Sequence, residues 1–487
     1  MEQQATYTTD IENILTSRKM NKGLGYIIFM AVVAAIGGIL FGYDTAIISG
    51  TTEIVRNQFQ LTAAGEGWYV GCALIGSIIG VLMAGTLSDF LGRKYTMLIS
   101  AALFSISAIG CTICNSFDGL VAYRMIGGVG IGIVSIVSPI YISEVSPAKI
   151  RGTLVSLYQL AVTIGFLLAY LANWIIDGNI NEAVLAAANS GAEVSLMDKI
   201  MHSEAWRGML GSETFPALLF FIIIFFIPES PRWLITKNQN DKATKIFTKI
   251  YCSAEMAKTQ VQETLEAIKD ETKSSWSALL KPGILMAVLI GSAIAILGQF
   301  MGVNAVLYYG PKIFQQAGYS DPLFATILVG FVNMITTVLA VFIIDKVGRK
   351  QLIYWGVSGM ILSLLCIGVY FSWGDVLSLS NTFMLVFFLF YVFCCAISIC
   401  AVVFVLLSEM YPNNVRGRAM SIAGFALWIG TYLIGQLTPI LLGWSEAGTF
   451  FIFAAMCVPY ILIMWKLVPE TTGKTLEDIE AYWNSKS

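Results

Sequence analysis

Long apolar segments alternate with short polar ones along almost the whole chain. Twelve of these segments lie at about 25–49, 68–88, 96–114, 119–142, 153–177, 208–227, 283–308, 323–344, 351–372, 381–407, 417–441 and 447–468. Each is long enough to cross the ~30 Å hydrocarbon core of a bilayer as an α-helix. Most are apolar on every side, as helices buried in a bundle or facing lipid are. The pattern therefore predicts an all-α membrane protein with twelve transmembrane helices.

The composition agrees with a membrane protein. Hydrophobic residues make up 57% of the 487 residues and charged residues only 12%, about half the charged share of soluble domains. The net charge of −2 gives no indication of nucleic-acid binding. Cys111 and Cys114 form a CxxC pair, but no second pair or histidine stands near it in the sequence. We therefore predict no metal site and no cofactor.

Basic residues are distributed unevenly among the loops. With the N-terminus inside, the cytoplasmic loops hold Arg93, Lys94, Lys149, Arg151, Arg232, Lys346, Arg349, Lys350, Arg416 and Arg418, and the opposite loops hold Arg56, Lys199, Arg207 and Lys312. The positive-inside rule then predicts that both termini are cytoplasmic. The predicted parts are a cytoplasmic N-terminal segment (1–23), a six-helix half (24–227), a cytoplasmic linker with short helices (228–282), a second six-helix half (283–468) and a cytoplasmic tail (469–487).

Short charged motifs recur in the same order in the two halves. The motif Asp-x-x-Gly-Arg-Lys follows segment 2, at residues 89–94, and segment 8, at residues 345–350. A Glu with Arg-Gly seven residues later follows segment 4 and segment 10, and Pro-Glu follows segment 6 and segment 12. Three matches at corresponding helix ends indicate an internal duplication. Duplicated halves are typical of transporters that move one half against the other around a central site.

Membrane topology does not explain the recurring acidic residues, because Asp and Glu hardly affect the direction in which helices insert. We expect them to pair with arginines across the two halves and to close the cytoplasmic side when the site faces outward. The predicted gate residues are Asp89, Arg93, Glu144, Arg151, Glu229, Arg232, Asp345, Arg349, Glu409, Arg416 and Glu470. An exposed pair contributes ~0–1 kcal/mol, so only several together can bias the equilibrium. The alternative is that these charges only mark helix ends.

The paired motifs, together with the Pro-Glu-Ser-Pro-Arg run at 228–232, resemble the signature of the sugar porter family of the major facilitator superfamily. Further matches are FGYD at 41–44, YRMIGG at 123–128, QFMGVN at 299–304 and Tyr308-Tyr309. The resemblance covers 38–476 and is strongest toward bacterial proton-coupled symporters of the D-xylose type. It implies two pseudo-symmetric six-helix halves, alternating access, a monosaccharide or polyol substrate, a monomer, and the inner membrane of a bacterium.

Asp44 and Arg124 are the main charges well inside apolar segments, where an unpaired charge costs several kcal/mol. A carboxylate that alternates between an arginine partner and none can release and take up a proton. No histidine lies in any predicted helix, so a carboxylate must carry a coupled proton. The resemblance adds Glu213 as a third member of this group. We therefore predict H⁺ symport with Asp44 as proton carrier; the alternative is a fixed structural ion pair.

A neutral sugar needs hydrogen-bonding partners for its hydroxyls and an aromatic face to pack on. The resemblance implies that the sugar contacts Gln159, Gln299, Asn304, Asn333 and Trp428, and that Phe41, Tyr308, Tyr309 and Phe404 line or cover the pocket. Alternatively, single Gln and Asn residues link helices by hydrogen bonds.

The chain departs from the xylose-type pattern at several pocket positions. These are Phe166, Gly298, Cys400-Ala401, Phe404 and Leu427. Because the residues they replace include three glutamines and a tryptophan, we expect a less polar and differently shaped pocket. The sugar, pentose or hexose, stays open.

Three other functions compete with proton-coupled sugar uptake. A facilitative sugar or polyol uniporter is the nearest, and Asp44 disfavours it because such uniporters commonly lack that acid. A transporter-like sugar sensor would need a long cytoplasmic tail, and few residues follow Leu476. A membrane enzyme is disfavoured because the sequence has no HExxH motif, metal cluster or nucleophile elbow. The predicted partners are a small neutral sugar and the lipid bilayer.

Overall fold

The computed structural model describes residues 20–147, 149–179, 184, 194–271, 279–412, 415–470, 479, 482 and 483. Within these residues every regular element is a helix. These helices form twelve segments that are long and apolar enough to cross a membrane, and some of the segments consist of two consecutive helices. The predicted all-α fold with twelve membrane-spanning segments is therefore confirmed.

Spans 1 to 6 form the first half. Spans 1 to 5 are single helices, Met20–Gln58, Ala63–Leu91, Arg93–Ile113, Phe117–Val145 and Arg151–Asp177. Span 6 consists of Ala205–Ser212 and Thr214–Ile223, which meet at Glu213. Several helices begin before the apolar segment because a polar side chain caps them; Thr62 accepts a hydrogen bond from Gly65 N, and Ser116 does so from Gly119 N.

Spans 7 to 12 form the second half. Spans 8, 9, 11 and 12 are Pro322–Val347, Arg349–Trp373, Arg416–Trp444 and Glu446–Lys466. Span 7 consists of Pro282–Phe300 and Val303–Gln316, and span 10 of Asn381–Cys395 and Ala401–Met410. A π-helical turn, Ala396–Cys400, joins the two parts of span 10. Spans 7 and 10 are thus interrupted near their middles, where transporters place binding sites.

In the described part of the linker, 228–271 and 279–282, three helices connect the halves: Pro231–Thr236, Asn240–Tyr251 and Ala254–Glu271. They lie against the end of the bundle at which span 2 finishes, since Trp233 Nε1 donates a hydrogen bond to Asp89 O at 3.0 Å. We call this end of the bundle the linker end and the opposite end the distal end. The helices fall inside the stretch predicted as the linker.

Within the first half, glycines let neighbouring backbones touch. A Cβ on Gly42 of span 1 would lie 2.0 Å from Val162 O of span 5, and one on Gly128 of span 4 would lie 2.0 Å from Ala73 O of span 2. No larger residue fits either place without separating the helices. Such small-residue contacts are a common means of packing helices in lipid, where burial of apolar surface gives no advantage.

The two halves meet at the distal end. Span 2 packs on span 11, span 5 on span 8, and span 1 on the second helix of span 7. A Cβ on Gly67 would lie 2.3 Å from Gln436 O, and Tyr170 donates its hydroxyl hydrogen bond to Leu307 O at 3.2 Å.

The same helix faces are open toward the linker end. Leu82 and Asp89 lie 11 and 18 residues beyond Gly71 and so share its face of span 2. At the distal end of this face, a Cβ on Gly71 would lie 3.1 Å from Gln436 Oε1. Toward the linker end, Leu82 is 62% exposed and the Asp89 side chain 79% exposed. On span 11, nothing lies within 4 Å of a Cβ placed on Gly417 or Gly424. The central space of the bundle is therefore closed at the distal end and open at the linker end.

Candidate functional site

The three residues predicted to couple protons come together inside the first half. Arg124 of span 4 donates a hydrogen bond from Nη1 to Asp44 Oδ1 of span 1. Asp44 is 1% and Arg124 3% exposed. Glu213, buried at the junction in span 6, interacts electrostatically with both. Two acids and one guanidinium thus share one buried site.

This cluster contains unused hydrogen-bonding capacity. Asp44 Oδ2, Arg124 Nε and Glu213 Oε1 are buried, and with all three groups charged none of these atoms has a hydrogen-bond partner. The Asp44 and Glu213 carboxyls, however, lie within hydrogen-bonding reach of each other. Two carboxyls can bond only when one of them carries a proton, so the cluster is suited to holding a proton. Next to them, the hydroxyls of Tyr43 and Ser212, neighbours of the two acids in sequence, lie 2.6 Å apart.

The break in span 7 positions two of the predicted sugar residues. Gly302 adopts φ of +91° between the two helices, a conformation that glycine allows at little cost. Gln299 lies in the last turn of the first helix and Asn304 in the first turn of the second, and Asn304 Nδ2 donates to Gln299 Oε1 at 2.5 Å. Gln299 also packs against span 11, because a Cβ on Gly430 would lie 3.2 Å from Gln299 Cβ.

An aromatic contact joins the two halves beside the coupling cluster. The rings of Phe41 (span 1) and Trp428 (span 11) have centroids 5.9 Å apart with planes at 39°. Phe41 lies three residues, about one helical turn, before Asp44. This contact therefore brings a predicted sugar-binding ring from each half next to the element that carries the acid.

The remaining predicted pocket residues differ in their surroundings. Tyr308 and Tyr309 are buried at the distal seam, and the Tyr309 hydroxyl donates to Gly435 O at 2.7 Å. That position suits their predicted covering role. Asn333 is buried on span 8, whereas Gln159 and Phe404 are exposed on spans 5 and 10. The roles of these three residues stay predictions.

The predicted gate residues of the first half form a network within that half. Arg93 donates from Nε and Nη2 to Glu144, both at 2.9 Å, and from Nη1 to Asp89 at 3.2 Å. Ser230 donates its hydroxyl to Glu144 at 2.5 Å. The network ties spans 2, 3 and 4 to the first linker helix.

Glu229 caps span 3. Its carboxylate accepts the backbone N–H bonds of Arg93 at 2.8 Å and Lys94 at 3.1 Å, as well as that of Ser230 at 2.8 Å. Burial raises the pKa of the Glu229 carboxyl, while these N–H donors act in the opposite direction because they stabilise the anion.

The second half repeats this arrangement. Arg349 donates to Glu409 at 2.9 Å, and Lys350 Nζ donates to Val468 O at 2.9 Å, as Lys94 Nζ does to Phe225 O at 3.0 Å. Arg151, Arg232, Arg416 and Glu470 lie at the same end, and the Asp345 side chain lies outside the described residues. Each of these contacts joins parts of one half, so the latch across the halves stays a prediction for the opposite conformation.

A charged pair at the distal end joins two residues that the sequence does not single out. Lys312 of span 7 donates to both oxygens of Glu66 of span 2, at 2.7 and 2.8 Å. The sequence indicates this pair only weakly. Lys312 is one of four basic residues predicted in the non-cytoplasmic loops, and Glu66 is an acid beside an apolar segment.

Comparisons with known proteins agree on one family. The sequence profile described as "Sugar (and other) transporter" matches residues 30–483. The D-xylose-proton symporter of Escherichia coli K12 is 38% identical over 500 residues, covering 95% of this chain and 96% of the relative. The arabinose-proton symporter of Bacillus subtilis 168 is 36% identical over 463 residues, covering 94% and 96%.

Solved structures give the same result. The inward-open conformation of the xylose transporter XylE from E. coli has a TM-score of 0.79 at 35% identity, covering 94% of this chain and 100% of that chain. XylE bound to 6-bromo-6-deoxy-D-glucose has a TM-score of 0.76 at 36% identity, covering 95% and 100%.

Proposed function

This chain belongs to the sugar transporter family, and on that premise we propose that it moves a monosaccharide together with a proton into the cell by alternating access. The two relatives named above are proton symporters of pentoses. Like them, this chain is a transporter and not an enzyme. The observation that carries the proton part of the proposal is the buried Asp44–Arg124 pair with Glu213 beside it.

The cluster supports a proton cycle on electrostatic grounds. While Arg124 bonds Asp44, the carboxylate is stabilised as an anion although it is buried. When a movement of span 1 or span 4 separates them, an isolated carboxylate in that environment takes up a proton instead of staying charged. Glu213 supplies a second acid that interacts with Arg124. A proton thus enters or leaves according to the relative position of helices in the first half.

The sugar part rests on the centre of the bundle. Gln299 and Asn304 offer amide donors and acceptors at the break in span 7, and Phe41 and Trp428 offer ring faces from both halves. A pentose or hexose presents hydroxyls and a C–H face that match these groups. Phe166 and Gly298 bring no hydrogen-bonding side chain to their positions, so we expect the pocket to offer the sugar fewer hydrogen-bonding side chains than the xylose-type sequence pattern would.

We further propose a bacterial inner-membrane location with the linker end and both termini in the cytoplasm, and a monomer as the working unit. The halves that move would be 24–227 and 283–468, linked by 228–282 and flanked by 1–23 and 469–487. In this orientation the structure, open at the linker end, faces inward. The match to inward-open XylE supports this assignment.

The decisive test is the Asp44→Asn variant in proteoliposomes with a panel of labelled pentoses and hexoses. An imposed inward proton gradient should drive accumulation by the natural protein. Asp44→Asn should abolish accumulation but keep exchange of labelled for unlabelled sugar, because exchange needs no net proton movement.

The matched control is Asp118→Asn, an acid-to-amide change on an exposed position at the start of span 4. It should accumulate sugar normally. If Asp44→Asn still accumulates sugar, Asp44 is not the proton carrier; if the natural protein only equilibrates sugar, the chain is a uniporter.

A further inference from the structure

The pair of Glu66 and Lys312 connects the two halves at the distal end. Lys312 Nζ lies 2.7 Å from Glu66 Oε1 and 2.8 Å from Oε2, so both oxygens accept from one ammonium group. Glu66 is 1% exposed and the Lys312 side chain 15% exposed. The two residues are 246 positions apart in sequence and belong to helices of different halves. Any opening of the distal end must therefore separate them.

A second cation lies on the other side of the same carboxylate. Arg56 Nε, at the end of span 1, is 3.6 Å from Glu66 Oε2, and Arg56 is partly exposed. Arg56 and Glu66 are both in the first half, so a movement between the halves does not separate them. Removing every partner from a buried charge is very unfavourable. With Arg56 in place, Glu66 can lose Lys312 and still have a positive partner.

The surroundings show that this pair lies in the contact that closes the distal end. Gln436 Nε2 of span 11 donates to Ala64 O at 3.0 Å, two residues before Glu66. Nearby, Tyr309 bonds Gly435 O, and Tyr309 also interacts electrostatically with Glu66. A separate contact between the halves, from Gln315 Nε2 to Glu53 Oε1 at 3.1 Å, is exposed to solvent.

We propose that Glu66 and Lys312 form the gate ion pair of the distal end, and that Arg56 retains the carboxylate when the gate opens. The inference rests on the proposed function, to which it adds the residues that set the balance between the two conformations. A cross-half pair stabilises only the conformation in which it forms. The desolvated contact between Glu66 and Lys312 therefore favours the conformation seen here, more strongly than the exposed contact of Glu53 does.

The test measures opening of the distal end without sugar or a proton gradient. Leu74 is buried at the seam, 3.0 Å from a Cβ placed on Gly435, so Leu74→Cys should be exposed only when the distal end opens. An impermeant maleimide added to intact cells would label it at a rate set by the open fraction. The same chain without Leu74→Cys gives the background from native cysteines.

Glu66→Gln or Lys312→Gln should raise this labelling rate about tenfold, within the usual range for conformational coupling. The double variant should label no faster than the faster single variant, because either change alone removes the pair. Glu53→Gln, the matched control at an exposed contact, should change the rate by less than about twofold. Lys312→Gln serves as the second route if Glu66→Gln fails to reach the membrane.

Unchanged labelling in both single variants would overturn the proposal. So would a double variant whose effect is the product of the two single effects, since the residues would then act independently. The assay is separate from transport: if Asp44→Asn shows no loss of proton coupling but the labelling result holds, the gate assignment stands and only the proposed function fails.

Discussion

The break in span 7 gives a prediction whose size follows from the geometry. In Gly302→Ala, the new residue must keep φ of +91°, and the left-handed conformation costs an L-residue ~1–2 kcal/mol. The added Cβ would also lie 2.5 Å from Phe453 Cδ2, a ring that is fully packed. Moving such a ring costs ~1–3 kcal/mol. The total destabilisation is therefore about 2–5 kcal/mol.

The substitution should affect binding as well as stability. Gly302 lies between Gln299 and Asn304, so a shift of either helix disturbs the 2.5 Å hydrogen bond between their side chains. Losing one such oriented contact costs ~1 kcal/mol, or about fivefold in the dissociation constant for the sugar. Thermal melting of the purified protein measures the first effect, and equilibrium binding of labelled sugar the second.

Gly424→Ala is the matched control. Gly424 lies inside span 11, away from its ends, and nothing is within 4 Å of a Cβ placed on it. Alanine in a helix is favoured over glycine by up to ~1 kcal/mol, so this variant should melt at or above the natural temperature. The break does not require glycine if Gly302→Ala melts as high as Gly424→Ala and binds sugar normally.

Two further variants test the gate region and the aromatic contact. Gly92 has φ of +97° and ψ of 164°, a conformation that essentially only glycine adopts, and a Cβ there would lie 2.3 Å from Glu229 Oε2. Gly92→Ala should therefore be destabilised by ~2 kcal/mol or more and melt at a lower temperature, whereas Gly85→Ala, with nothing within 4 Å, should not be destabilised. Equal melting temperatures would exclude the Glu229 contact as a constraint. Trp428→Ala removes the ring that lies 5.9 Å from Phe41, and it should weaken sugar binding at least about tenfold in a labelled-sugar assay. Trp428→Phe keeps a ring face and should lose less affinity. Equal losses in the two variants would show that the sugar does not use the ring face.

The sequence predicts the charged part of the site, because an unpaired charge inside a lipid bilayer is energetically costly. A charge inside an apolar segment needs a partner, and Asp44 and Arg124 were the main candidates, so their contact follows from the chemistry of the bilayer. The twelve spans follow from hydropathy for the same reason. The charged repeats named Arg93, Glu144, Arg349 and Glu409 as gate residues, but the pairing expected from them was across the halves, whereas the pairs seen here lie within one half.

Features that depend on how helices pack could not be predicted in this way. Glu66 stands in the first turn of a helix, where an acid needs no special explanation because it favours the helix dipole. Its pairing with Lys312 exists only because the halves close at the distal end. Similarly, Cys400-Ala401 marks a departure from the xylose-type pattern in span 10, but the sequence does not indicate the π-helical turn, Ala396–Cys400, that joins the two parts of this span.

The position of the acid cluster has a consequence for how such proteins diversify. Asp44, Arg124 and Glu213 all belong to the first half, whereas Gln299, Asn304 and Trp428 belong to the second. On the proposed function, energy source and most of the cargo selection would then be encoded in separate stretches of the gene, with Gln159 and Phe41 of the first half as exceptions. We expect substitutions in the second half to change the sugar without touching the proton site, provided the contact of Trp428 with Phe41 is kept. A chimera that carries the second half of a relative should take on the sugar preference of that relative and remain driven by protons.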